Sequence, residues 1–213
     1  MDKTRLRIRF SKQGDLRWIS HRDLARVRER LLRRANLEMA FSEGFHPKPR
    51  ISFPSALALG VEALDEIVEL EVVGQVALAE IEEDIRREMP EGMELLELTS
   101  PEYGLGKTKM LSASYRIPVE SERQVAVEEA ITEVLSQPEI VAQREKKEFR
   151  LPTDAEFLAM RINGEHFEFT IPHGQQGSLR PPELLEAVGL GDLLESGIVL
   201  QRIGLQLMEP AKK

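Results

Sequence analysis

Residues 4–12, TRLRIRFSK, alternate Leu6, Ile8 and Phe10 with Arg5, Arg7 and Arg9. Successive strand side chains point to opposite faces, so this period of two predicts a strand with one apolar and one cationic face. Gly14 and Asp15 mark a turn. Ser20, with Asp23 three residues later, then predicts a helix start before HRDLARVRERLLRRA. Leu24, Val27, Leu31 and Ala35 recur at helical spacing and predict its buried stripe. A chain that switches from period two to period 3.6 and back again must pack helices on sheets.

The switch recurs along the chain. LEMAFS (37–42) and EIVELEVV (66–73) predict strands, VALAEIEEDIRREMP (76–90) an amphipathic helix ended by Pro90–Gly92, and MELLELTS (93–100) a strand. PEYGLGKTKMLSA (101–113) is polar and glycine-rich, as a connection would be. Beyond it SYRIPVE predicts a strand, SERQVAVEEAITEVLSQ a helix, and residues 139–152 an extended segment. Asn163–Gly164 between alternating runs predicts a hairpin, RPPELLEAVG a short helix, and GIVLQRIGLQLM a closing strand. The expected class is α+β, with two tandem ferredoxin-like βαββαβ units and antiparallel sheets. The expected bounds are a basic unit over 1–100, a linker over 101–113, and an acidic unit over 114–213. The second unit would carry an additional strand or hairpin.

Charge is distributed unevenly. Residues 1–50 hold 14 Lys and Arg against 6 Asp and Glu, a balance of +8. Residues 51–213 hold 15 against 31, a balance of −16, which together give the net −8. Such asymmetry points to an anionic partner at the basic end, or to ion pairing within the fold. Cysteine is absent, which removes disulfides, cysteine nucleophiles and thiolate-held zinc or iron–sulfur centres. The four histidines (His21, His46, His166, His173) show no metal-ligand spacing, so neither metal nor cofactor is expected. No apolar run reaches membrane-spanning length and MDKTRLRIRF has no secretory core, so a soluble cytoplasmic protein is expected.

Three groups of residues could carry chemistry. Arg5, Arg7 and Arg9 share a strand face, where like charges repel unless something anionic lies across them. On the following helix, a turn of about 100° per residue clusters Arg22, Arg26 and Arg33 opposite Leu24, while His21 falls beside the apolar stripe. The helix arginines form either a solvated face or a phosphate-binding rail. In FSEGFHPKPRISF (41–53), His46, Lys48 and Arg50 alternate between prolines and would share one edge if the loop ran extended. That set could grip phosphates, or His46 could act as acid or base; equally, the loop could be an ordinary rigid connection with His46 hydrogen-bonded to backbone.

GLGKTK (104–109) resembles a phosphate loop but lacks the GxxxxGK[ST] spacing. HGQQGSLRPPE (173–183) is a loop leading into a helix cap.

The R[LIV]RF strand, GDLRWISHRDL, FSEGFHPKPRISF and ALGVE together resemble the radical-SAM-linked bacterial protein family, a domain of unknown function. The resemblance is close over residues 5–72 and looser beyond, at REKKEFRLP, GSLRPPELLEAVGL and LQRIGLQL. It implies a radical SAM partner that carries a cobalamin-binding domain. The gene neighbourhood typical of the family implies work on RNA or the ribosome. The expected function is a non-catalytic accessory protein that binds RNA or a ribosomal substrate through Arg5, Arg7, Arg9, His21, Arg22, Arg26, His46, Lys48 and Arg50. The alternatives are a metal-independent RNA-processing enzyme using His46, and a purely protein–protein adaptor.

Overall fold

The computed structural model describes residues 2–19, 23, 32–34, 37–102, 106–145, 147–174 and 179–208. The chain divides into two compact units, Met1–Lys109 with Met208–Lys213, and Met110–Leu207. Each is a mixture of helices and a mostly antiparallel sheet.

In the first unit the alternating TRLRIRFSK run lies within strand β1 (Lys3–Lys12). It pairs antiparallel with β3 (Glu62–Val73) on one side and β4 (Met93–Thr99) on the other. A two-residue strand, β2 (Ile51–Ser52), pairs with β3, giving the order β4-β1-β3-β2. The register sets Leu6 opposite Leu70 and Ile8 opposite Val68 and Leu98. The buried core therefore gathers Leu6, Ile8 and Phe10 with Val68, Leu70, Val72, Leu95 and Leu98. Helix α1 (Leu78–Glu88) adds Ile81 and Ile85. Burying a side chain of this size contributes about 1.5–3 kcal/mol, so this apolar layer drives the folding of the unit.

The expected stripe of the preceding helix (Leu24, Val27, Leu31, Ala35) lies outside the described residues. Within that segment residues 32–34 are helical, and Leu32 is fully buried in the core. Residues 37–42, expected as a strand, make only isolated bridges at Met39 and Phe41. They leave the sheet edge early because the chain turns out into the 41–50 segment. Residues 109–113, expected in a connection, instead begin strand β5. Gly92 closes the turn after α1 at φ +83°, and its carbonyl accepts the Gln13 amide at 2.8 Å. A Cβ there would sit 2.9 Å from the Gln13 carbonyl oxygen, so the position has room only for glycine.

The second unit runs β5 (Lys109–Pro118), α2 (Ser121–Ser136), β6 (Glu139–Arg144), β7 (Lys147–Pro152), β8 (Ala159–Asn163), β9 (His166–Pro172), α3 (Pro181–Ala187), α4 (Asp192–Glu195) and β10 (Gln201–Met208). Its sheet order is β10-β5-β9-β8, while β6 and β7 form a separate two-stranded sheet. The single extended segment expected over 139–152 is thus a hairpin. Asn163 pairs with His166, which leaves Gly164 and Glu165 as the loop, one residue later than Asn163–Gly164. Gly164 at φ +60° supplies the positive angle that a two-residue loop needs at its first position. Phe167 and Phe169 are buried and stack 5.1 Å apart. Glu183 caps α3 by accepting the Arg180 amide at 2.7 Å. It also pairs with Arg144, which lies 3.8 Å over the Phe149 ring and so ties the β6–β7 hairpin to α3. Among the described residues no helix is long and apolar enough to cross a membrane.

Candidate functional site

The row of strand arginines meets a row of acids. Antiparallel pairing sets Arg7 opposite Glu69, with Glu71 two positions and Asp65 four positions away on the same face of β3. Arg5 donates to Glu69 Oε2 at 2.5 Å and to the Gly106 carbonyl at 3.0 Å. Arg7 donates through Nε to Glu69 Oε1 at 2.8 Å and through Nη2 to Thr108 Oγ1 at 2.9 Å. Arg9 donates to both oxygens of Asp65, at 2.6 and 3.1 Å. Thr108 completes the network by donating to Glu69 at 2.7 Å. Burial alone would raise the Glu69 carboxyl, whose side chain is 2% exposed. The hydrogen bonds from Thr108, Arg5 and Arg7 outweigh burial and hold it below the usual glutamate range.

The protein's own carboxylates therefore relieve the repulsion among Arg5, Arg7 and Arg9. The partner row was visible in the sequence, because Asp65, Glu69 and Glu71 share one parity along β3. Only the strand register joins the two rows. The GLGKTK segment contributes Gly106 and Thr108 to the same network.

His21, Arg22 and Arg26 lie outside the described residues. Arg33 is exposed, and Arg34 stands 3.7 Å from Glu88.

The 41–50 segment forms a forked hairpin. The Ala40 amide donates to the Glu71 carbonyl at 2.8 Å, and the Glu71 amide donates to the Arg50 carbonyl at 3.0 Å. Both arms thus leave β3 at one residue. Between the arms, the Arg50 amide donates to the Ala40 carbonyl and the Ser42 amide to the Lys48 carbonyl, each at 2.9 Å. The Lys48 amide returns a bond to Ser42 Oγ at 3.0 Å. Gly44, at φ +118°, makes the bend, a conformation that a side chain would strain. Phe45 at the tip is 101% exposed, as free as it would be in an extended chain.

His46, Lys48 and Arg50 are all exposed. His46 sits in the bend and Lys48 at the neck, while Arg50 at the base stands 3.5 Å from Glu71. Among the described residues no hydrogen-bond partner holds the His46 ring. The feature that sequence reasoning passed over is Phe45. An apolar residue inside a polar, proline-bracketed loop was its only signal. Among the described residues no group of three or more His, Asp or Glu side chains is arranged to hold a metal ion.

Residues 5–181 match the model of a family described as uncharacterized proteins conserved in bacteria (DUF2344). The chain belongs to this family. The match spans the paired strand rows, the forked hairpin and most of the second unit, and it ends where α3 begins. No curated protein sequence matches the chain. Two solved structures align over nearly its full length. One is the acetolactate synthase small subunit of Thermotoga maritima, at 9% identity and TM-score 0.31, covering 100% of each chain. The other is an unknown protein from Galdieria sulphuraria, at 10% identity and TM-score 0.31, covering 97% of this chain and 99% of that one. At those TM-scores the likeness carries no statement about fold or activity.

Proposed function

We propose that this member of the family is a non-catalytic accessory protein that docks on a protein partner through the tip of the 41–50 hairpin. The observation that carries this reading is Phe45, a fully exposed aromatic side chain on a hairpin whose neck and base are held by backbone hydrogen bonds. Exposing a phenyl ring to water is unfavourable, and a preorganised aromatic anchor loses little entropy on burial in a partner's pocket. The internal pairing of Arg5, Arg7 and Arg9 favours a protein partner over an extended phosphate-binding face. By its family resemblance, the partner is a radical SAM protein with a cobalamin-binding domain, and the setting is the cytoplasm. The strand orders β4-β1-β3-β2 and β10-β5-β9-β8, with β6–β7 inserted in the second, support reading the chain as two tandem ferredoxin-like units. The proposed bounds are 1–100 and 114–213, with the connection between them.

Pull-down of the radical SAM protein by this chain, with and without nuclease, tests the reading. Capture should survive nuclease. Phe45→Ala should weaken it by about 2 kcal/mol, roughly thirtyfold in Kd, with no change in melting temperature. Capture that nuclease abolishes would overturn it.

A second reading keeps RNA as the ligand. Phe45 and His46 are adjacent in the bend, with Lys48 two residues on at the neck, and an aromatic ring with cations close along the chain is a base-stacking arrangement. In that case a gel shift with ribosomal RNA fragments would be lost in Phe45→Ala. On this reading His46 grips the ligand and does not react.

A further inference from the structure

We propose that the second unit contains a binding cleft for a small uncharged heterocycle, a nucleobase or its nucleoside, on the hydroxyl-bearing face of its sheet. This stands independently of what the hairpin tip contacts. The apolar parity of β5 and β9 (Ala113 and Ile117, Phe167, Phe169 and Ile171) is buried. The other parity places Ser112 and Ser114 of β5 beside Thr170 of β9, with Ser114 directly opposite Thr170. Ser114 Oγ and Thr170 Oγ1 are hydrogen-bonded at 2.8 Å, and Ser112 Oγ donates to Gln206 Oε1 of β10 at 3.3 Å. These groups floor an open, shallow cleft of about 400 Å³.

Two features separate this cleft from an ordinary surface furrow. Gly204 lines it from mid-strand, yet its backbone does not adopt the left-handed conformation that would demand glycine. A Cβ at 204 would meet nothing closer than Ser114 at 3.8 Å. Neither conformation nor crowding requires a glycine, and one inside a strand weakens it. What its missing side chain does is keep the floor open. On the wall stands Phe157, at φ +70°. A bulky residue in that region stores strain of about 1–3 kcal/mol, and such strain concentrates at ligand sites. The strained loop is pinned: the Thr153 amide donates to the Pro138 carbonyl at 3.2 Å and its hydroxyl to the Gln137 carbonyl at 2.6 Å. The Leu158 amide closes the turn onto the Ala155 carbonyl at 3.1 Å.

The lining selects the ligand class. Among the described residues no charged side chain lines the cleft, so an ion would lose hydration there without compensation. The hydroxyls can each donate or accept, and the Gln206 carboxamide can do both at once. Those are the groups that read the mixed donor and acceptor edge of a base, while an aromatic wall offers a stacking surface.

Calorimetric titration of the full-length protein with adenosine, guanosine, cytidine and uridine separately tests the site, with glucose and inorganic phosphate as comparison ligands. At least one nucleoside should bind saturably. Gly204→Val, which fills the cleft without backbone strain, should weaken that binding by about tenfold or more while circular dichroism stays unchanged. Gln206→Ala, at an exposed position, should weaken it too and serves if the valine variant does not fold. The proposal is overturned if no nucleoside binds at millimolar concentration, if glucose or phosphate binds in its place, or if a folded variant binds as well as the parent.

Discussion

Glu69 shows how one residue can redirect the meaning of its neighbours. Its carboxylate is 2% exposed and takes hydrogen bonds from Arg5, Arg7 and Thr108. Removing the acid leaves two largely buried guanidinium groups without their charge partner, which costs more than the pair contributes by forming. Glu69→Leu should therefore destabilise the protein by roughly 3–5 kcal/mol, measured by urea unfolding at pH 7. The acid limb follows from the lowered carboxyl. Its stabilisation is complete above the ordinary glutamate value near 4.5 and is lost as pH falls through the lower folded value. Glu69→Gln should flatten the loss of stability below pH 4.5 while lowering stability at pH 7. Equal acid slopes in parent and variant would show that another group carries the transition.

At the scale of elements, alternation and turn chemistry made β1, α1, β4 and the β8–β9 hairpin legible, because each obeys a local period and ends at a local signal. The 41–50 hairpin was legible only as something stiff and unusual. Its arms are joined by backbone hydrogen bonds and both anchor on Glu71, which lies beyond the segment in β3, so no local pattern could place them. The extended course expected through His46 gave way for that reason to a bend over residues 43–46. Gly92 supplies a sharper test of an element boundary. Gly92→Ala forces a side chain into a left-handed conformation, which alone costs roughly 1–2 kcal/mol, and drives its Cβ onto the Gln13 carbonyl. Thermal unfolding should register a loss at least that large; a neutral variant would mean that the turn relaxes freely.

At the scale of the whole molecule, each of the two compact units carries its own depressed carboxylate. Burial would raise Glu183 as it would Glu69, and hydrogen bonds from Arg144 and the Arg180 amide bring it down instead. Glu69 and Glu183 share no partner, so their substitutions should act separately. The stability loss of the double variant Glu69→Gln/Glu183→Gln should equal the sum of the single losses within about 0.5 kcal/mol, read by denaturant titration. A larger deviation would mean that the units couple energetically. The charge asymmetry along the chain belongs to this scale as well. A +8 segment and a −16 segment allow either an external anion or internal pairing, and net charge cannot distinguish them.

What the sequence by itself determined was which residues could be buried and on which parity, because side-chain period and hydrophobicity are properties of neighbours along the chain. It also carried residues 5–181, which match the family model. Only the tertiary structure decided which charges meet. Strand register joins residues more than sixty positions apart, and one step of slip would have turned Glu69 away from Arg5 and Arg7. The same long-range pairing brought Ser112, Thr170, Gly204 and Phe157 around one cleft and left Phe45 alone at a tip.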